Sequence, residues 1–286
     1  DLLGNNRKDL QDRIAEEGWG KQLLSKRNSN GHWGDRFYQP KWISTHYTLL
    51  DLRNLSLNPE NGISKEAIEL TLNLGIAEDG GIPLGPSTSK YSDVCVNGMF
   101  LNYASYFKTD EKKLCPIVNC ILNEIMSDGG FNCQTNRSGA RHSSLHSTIS
   151  ALEGLIAYQK AGYSYRLNEL QNAQKSAEEF ILLHQLFLSD HTGEIIRKDF
   201  LNLPYPSRWK YDILRALDYF QYSGSKWDER MNPAIQVLLK KQNNDSTWNV
   251  QAKHPGKVHF EMEKAGKPSR WNTLRAMRVL EHFKIE

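Results

Sequence analysis

Two short stretches of the chain place metal-type ligands at ligand-like spacing. "YSDVCVNGMF" sets Asp93 and Cys95 two residues apart, and "RHSSLHSTIS" sets His142 and His146 four apart. Asp, Cys and His are zinc ligands, and three of them with an open fourth position make the catalytic pattern. Asp93, Cys95 and His146 are therefore a candidate zinc set, with Asp93 also a candidate catalytic acid. The plain alternative is a capping Asp, a structural Cys and two polar loop histidines. A third stretch, "KHPGKVHFEMEKAGKPSRW", carries His254, His259, Glu261 and Glu263 just ahead of Arg270. Glu263 beside Arg270 is a candidate general acid or base with a tuned pKa; a solvated loop is the alternative.

The tetrapeptide Pro-Ser-Arg-Trp occurs twice, ending at Trp209 and Trp271. Each copy opens an amphipathic stretch, so Arg208 and Arg270 are expected in matching places at helix starts. There the uncapped N–H groups and the partial positive charge suit an anion. The two arginines either clamp a carboxylate or phosphate or fasten neighbouring repeats. Trp42, His46, Tyr47, Trp209, Tyr211 and Trp271 are expected at the same level, as lining for an apolar ligand or as packing between helices.

Turns repeat along the chain and set the elements that position these residues. "NGHW" at Asn30, "DGGI" at Asp79, "DGGF" at Asp128 and "DSTW" at Asp245 are joined by a degenerate "DHTG" at Asp190. Their spacing of roughly 50 to 60 residues is that of a repeat architecture. Asn or Asp followed by Gly is turn chemistry. Before each turn lies a stretch of helical period, such as Leu114, Ile117, Ile121 and Ile125, or Leu167, Leu170, Ala173, Ala177 and Phe180. After each turn a second helical stretch begins near Ser44, Ser92, Ser144, Ser207 or Ser269, serine being a good N-cap. No convincing alternating strand is present. Five helix pairs on one period predict an all-α fold, an α/α toroid forming a single domain over residues 1–286, with an open solenoid as the alternative.

Composition narrows the function classes. The 286 residues carry a net charge of +3 and four cysteines without a Cys-x-x-Cys pair. A disulfide scaffold is not expected, nor is a membrane span, and a cytoplasmic location is. Nucleic-acid binding lacks a basic stripe. There is no Gly-x-Ser-x-Gly elbow, phosphate-binding P-loop or dinucleotide fingerprint.

The Asn/Asp-Gly-x-aromatic turn between helices resembles that of the terpene cyclase and protein prenyltransferase β-subunit superfamily, with "QNNDSTW" from Gln242 the fullest copy. The "EMEKAGKPSRWNTLRAMRVL" end is similar to short bacterial squalene-cyclase-like proteins. The Asp-rich D-x-D-D motif of the cyclases is missing, so protonation-initiated cyclisation is not implied. The prenyltransferase likeness implies zinc on Asp93, Cys95 and His146 and a diphosphate contact at Lys90, although aligning "LEGL" at Leu152 displaces His146 by one position. It implies an isoprenoid or other apolar small-molecule ligand, with Arg208 and Arg270 on its headgroup. Two alternatives stand beside it. One is a carbohydrate-active α/α-barrel hydrolase or lyase with tryptophans as sugar platforms and Glu261 or Glu263 with Asp212 as acid and base. The other is a non-catalytic binding scaffold.

Overall fold

The computed structural model describes residues 7–85 and 90–285, which fold as an all-α chain in two compact units. The first unit comprises Arg7–Ser176 and Gly256–Phe260, and the second Ala177–Pro255 and Glu261–Glu286.

The first unit contains α1 (Lys8–Arg13), α2 (Gly18–Leu24), α3 (Thr45–Asn54), α4 (Gly62–Asn73), α5 (Val94–Tyr106), α6 (Glu111–Asn123), the short α7 (Thr135–Ser138) and α8 (Leu145–Lys160). In α4, Ser64, Ala67, Ile68 and Thr71 are buried, the i, i+3, i+4, i+7 stripe of an amphipathic helix. In α6 the stripe is Leu114, Ile117, Val118 and Ile121. By contrast α3 is buried without a break from Thr45 to Leu52, α5 from Val96 to Ser105, and α8 almost throughout. Helices buried on every face are enclosed by the others, so chain order alternates outer and inner helices. The two enclosed helices α5 and α8 touch backbone to backbone at Gly98 and Gly154. A Cβ on Gly98 would lie 2.3 Å from the Ser150 carbonyl oxygen, and one on Gly154 would lie 2.4 Å from that of Gly98.

The helix α9 (Leu167–Leu183) runs from the first unit into the second. The second unit continues with α10 (Ile213–Ser223), α11 (Asn232–Lys240), β1 (Trp248–Asn249), β2 (Pro268–Ser269) and α12 (Arg270–Phe283). The two strands pair antiparallel, Trp248 opposite Ser269, and α10 packs on α12.

The repeated turns share one hydrogen-bond design. The Asn or Asp side chain accepts the N–H two residues on: Asn30 from His32 at 3.0 Å, Asp79 from Gly81 at 2.9 Å and Asp245 from Thr247 at 3.1 Å. Asp79 and Asp128 also reach ahead to the N–H of Ser92 and of Ser143, the latter at 2.7 Å. The apolar residue closing each turn is buried and donates its N–H to a side chain on the following helix. Trp33 donates to Thr45 at 3.1 Å, Ile82 to Asn97 at 2.8 Å, Phe131 to Thr148 at 3.0 Å and Trp248 to Thr273 at 3.0 Å. The indoles of Trp33 and Trp248 also donate back to the preceding helix, to the carbonyls of Leu23 at 2.7 Å and Leu238 at 2.8 Å. One buried residue thus pins both helices of its pair, each such bond contributing about 1 kcal/mol net. The residue after each Asn or Asp takes positive φ: Gly31, Gly80, Gly129 and, without glycine, Ser246. The "DHTG" copy is built differently, as a tight hairpin with a bridge between Leu188 and Ile195.

The helix starts differ in detail from the serine rule. Ser44, Ser144 and Ser269 precede α3, α8 and α12, but α5 starts after Asp93 and α10 after Asp212. The two Pro-Ser-Arg-Trp copies are therefore not equivalent. Ser269 caps α12 directly, accepting the Asn272 N–H at 2.9 Å, whereas Ser207 lies several residues ahead of α10. The reason is a two-residue difference in spacing. Four residues, Lys210 to Ile213, separate the first copy from the shared Leu-Arg-Ala run where Asn272 and Thr273 alone separate the second, and Asp212 takes the cap by accepting the Arg215 N–H at 2.8 Å.

Candidate functional site

The candidate residues fall into two sets, one in each unit. In the first unit, Trp42, His46 and Tyr47 are buried in an aromatic cluster with Phe37, Tyr38 and Tyr103. His46 sits edge-on to Tyr47 with ring centroids 4.8 Å apart. Its Nδ1 is 3.2 Å from the Tyr103 hydroxyl, and its Nε2 has no hydrogen-bond partner. Burial lowers its pKa to about 3, so the ring is neutral at pH 7. Two residues of the 256–260 segment cover this cluster. Gly256 lies against the indole of Trp42, leaving no room for a Cβ, and His259 Nε2 is 2.9 Å from the Thr48 hydroxyl.

Asp93 is the buried N-cap residue of α5, and Cys95 follows in the first turn. Cys95 meets Cys133, a residue the sequence patterns did not single out: the Cys133 Sγ accepts the Cys95 backbone N–H at 3.2 Å. From α8 the group that reaches Cys133 is the hydroxyl of Ser147, also at 3.2 Å, and not His146. One residue along a helix is about 100° of rotation, which separates the two side chains. The hydrogen bond between the thiols raises the pKa of Cys95, the donor, and lowers that of Cys133, the acceptor. Among the described residues no group of three or more His, Cys, Asp or Glu is placed to hold a metal ion. Asp93, Cys95 and His146 belong to no such group. Lys90 extends over the exposed ring of Tyr91, 5.2 Å from its centroid.

In the second unit, Arg208, Trp209, Tyr211 and Asp212 lie on the segment entering α10. Arg208 is buried and holds positive φ, +60°. Tyr211 is buried and donates its hydroxyl to the Leu186 carbonyl at 2.6 Å. Asp212 is 1% exposed. Its Oδ1 caps α10, and the Ser207 hydroxyl beside the carboxyl favours its ionised form. Burial raises its pKa, against the opposing pull of Arg275 and Arg215. Arg215 and Arg275 occupy the same place in the shared Leu-Arg-Ala run, one on α10 and one on α12. Arg215 donates to the Lys210 carbonyl at 2.9 Å, and Arg275 pairs with Asp218 at 3.0 Å. These are the equivalent arginines of the two segments. Aligning on "LRA" instead of "PSRW" is the sequence signal that identifies them. His254 joins the group from the following loop, its Nε2 3.1 Å from the Ser207 carbonyl. Desolvation first, then Lys210, lower its pKa to about 4.

Trp271 stacks flat on Tyr205, with ring centroids 5.7 Å apart and planes within 1°. Arg270 is exposed at the first position of α12. Glu263 accepts the Arg270 N–H at 2.9 Å and the Ser269 hydroxyl, which seats it on the start of α12. Glu261 pairs with Lys253. Of Glu261, Glu263 and Asp212, the carboxylates considered for sugar chemistry, Asp212 alone is buried.

Among the described residues no helix is long and apolar enough to cross a membrane. No protein-family model matches the chain, and no curated protein matches it. Among solved structures the chain is similar to one described as a glycosyl hydrolase family 88 protein from Bacteroides vulgatus. The likeness covers 98% of this chain and 86% of that one, with a TM-score of 0.53 and 12% identity. At that identity it carries the fold, and the fold class is the all-α, α/α-toroid class expected from the turns. It corrects the expected kinship with terpene cyclases, prenyltransferase β-subunits and squalene-cyclase-like proteins. The turn that suggested that kinship works by pinning two helices through one buried residue, a requirement of helix pairing that any helical-hairpin repeat can meet. An apolar or isoprenoid ligand loses its support along with it.

Proposed function

We propose that the chain is a carbohydrate-active hydrolase or lyase of the α/α-barrel type, with Asp212 as its acid. The observation that carries this reading is the state of Asp212: a buried carboxyl, one oxygen fixed at the start of α10, and a pKa raised by desolvation. A carboxylic acid that keeps its proton toward neutral pH is the group needed to protonate a glycosidic oxygen as the bond breaks. The likeness to a structure described as a glycosyl hydrolase supports the same reading through the fold.

The neighbours of Asp212 suit this chemistry. His254 is neutral above about pH 4. With its Nε2–H donated to the Ser207 carbonyl, Nδ1 is the basic nitrogen. In this reading it takes a proton from water in hydrolysis, or from a sugar carbon in elimination. Arg215 acts on both groups: its charge favours the ionised form of Asp212 and the neutral form of His254. The arginines Arg208, Arg215 and Arg275 give the region a positive field that favours a sugar bearing a carboxylate or sulfate. The part-exposed rings of Trp209, Trp271 and Tyr205 offer flat apolar faces to a pyranose ring.

The test is turnover on a panel of neutral and acidic oligosaccharides, followed by new reducing ends and by ultraviolet absorbance of an unsaturated product. Hydrolysis gives the first signal alone; elimination gives both. Asp212→Asn is expected to lower kcat by about 10²- to 10⁴-fold. Full activity in that variant, or no product from any oligosaccharide, contradicts the proposal.

A further inference from the structure

The contact between Cys95 and Cys133 is a feature that the proposed sugar chemistry leaves unused. The two residues are far apart in sequence, one in the first turn of α5 and the other in the loop between the "DGGF" turn and α8. The Cys133 sulfur receives two donors: the Cys95 backbone N–H at 3.2 Å and the Ser147 hydroxyl at 3.2 Å. Ser147 is held in turn, accepting the Cys133 N–H at 3.1 Å. Both cysteines are partly exposed, and all four thiols of the chain are free. The other two differ. Cys120 is buried beside Ser92 and Asn97, and Cys115 donates to the Glu111 carbonyl of its own helix.

We propose that Cys95 and Cys133 form an oxidation site, in which Cys133 reacts with a peroxide and then closes a disulfide with Cys95. In the first step the Cys133 sulfur attacks one oxygen of hydrogen peroxide. The O–O bond breaks, hydroxide leaves and takes up the thiol proton as water, and the sulfur becomes a sulfenic acid. In the second step the Cys95 sulfur attacks that sulfur. The S–O bond breaks and the hydroxyl leaves as water with the Cys95 proton. Two thiols and one peroxide give one disulfide and two waters, with two electrons passing from sulfur to oxygen. The donors around Cys133 favour negative charge on it and so mark it as the attacking sulfur. Cys95, whose backbone N–H already meets the Cys133 sulfur, is the resolving thiol. The bond would tie the start of α5 to the loop that leads into α8, the two helices that meet at Gly98 and Gly154.

The full-length chain is exposed to hydrogen peroxide, alkylated, digested without reductant and mapped by mass spectrometry. The expected product is a Cys95–Cys133 linked peptide that dithiothreitol reverses, with Cys115 and Cys120 still alkylated. In Cys95→Ser the Cys133 sulfenic acid persists and is trapped by dimedone. In Cys133→Ser, Cys95 stays alkylatable over the same time. Equal alkylation of Cys95 and Cys133 before and after peroxide overturns the proposal. So does a linkage that recruits Cys115 or Cys120, or a Cys95→Ser protein with no dimedone adduct at Cys133. The wild-type map needs no variant to fold.

Discussion

The helix pairs α5/α8 and α10/α12 use the same architecture to opposite ends. In the first unit α5 and α8 meet at Gly98 and Gly154, backbone against backbone, with Val96, Leu101, Ile149 and Leu152 fully buried on those helices. In the second unit α10 and α12 carry Arg215, Asp218 and Arg275, with Asp212 at the head of α10. Burying ionisable groups costs free energy that an apolar contact avoids. A repeat able to seal one helix pair with glycine did not need charge to seal another. On the proposed reading, the charged pair is where stability is traded for chemistry.

The glycine contact is the sharpest place to break this comparison. Gly98→Val puts side-chain atoms where even a Cβ would meet the Ser150 carbonyl, and backbone cannot move aside as a side chain can. The expected loss is about 3 kcal/mol or more, read as a shift in the urea midpoint. A loss under about 1 kcal/mol would mean that the helices are not in backbone contact. Arg275→Ala, on the charged side, leaves Asp218 partly buried without its ion pair and removes a charge that favours ionised Asp212. A loss of about 1–3 kcal/mol is expected, together with an alkaline limb of the pH–activity profile moved to higher pH, because Asp212 as the acid is active in its protonated form. An unchanged alkaline limb would separate Asp212 from activity.

Each unit also holds a desolvated neutral histidine, His46 buried and His254 partly so, and these give a smaller, signed effect. His46 and His254 are lowered from 6.5 to about 3 and about 4 in the folded state. The unfolded chain therefore binds more protons between those values. Each residue's contribution is intact above pH 6.5 and is lost as pH falls toward about 4 for His254 and about 3 for His46. Unfolding free energy measured from pH 7 to pH 4 should decline, and His46→Phe should make the decline shallower by close to one proton. An identical slope would mean that His46 is protonated in the folded protein. The smallest effect belongs to the turns. Ser246 takes the positive φ that glycine holds at Gly31, Gly80 and Gly129. Ser246→Gly should leave stability unchanged or raise it by up to about 1 kcal/mol, whereas Gly129→Ala, which meets Ser176 side-chain and backbone atoms, should lower it.

What could be read from the sequence follows the range of the interactions. The helix pairs were legible because each turn carries its whole design within a few residues: an Asn or Asp, a residue of positive φ, and one buried apolar anchor. The helix starts were half legible. Serine marks α3, α8 and α12, but two inserted residues move the start of α10 past Ser207 to Asp212 and break the expected equivalence of Arg208 and Arg270. The contact of Cys95 with Cys133 was not legible, since the two come from different repeats and no short spacing joins them. His146 and Ser147 show the finest limit: adjacent residues of one helix point about 100° apart, and a pattern match shifted by one residue selects the wrong one. The family likeness misled for a related reason, the turn being a solution to helix pairing before it is a family mark.

The most direct test of the account is to measure kcat and Tm together for Asp212→Asn on an oligosaccharide that the wild-type protein cleaves. Asn keeps the cap of α10 and removes a carboxyl whose ionised form the fold disfavours. The account predicts a Tm equal to or above that of the wild type with kcat reduced by about 10²-fold or more. A variant that loses Tm while keeping kcat would make Asp212 a structural residue and contradict the proposal.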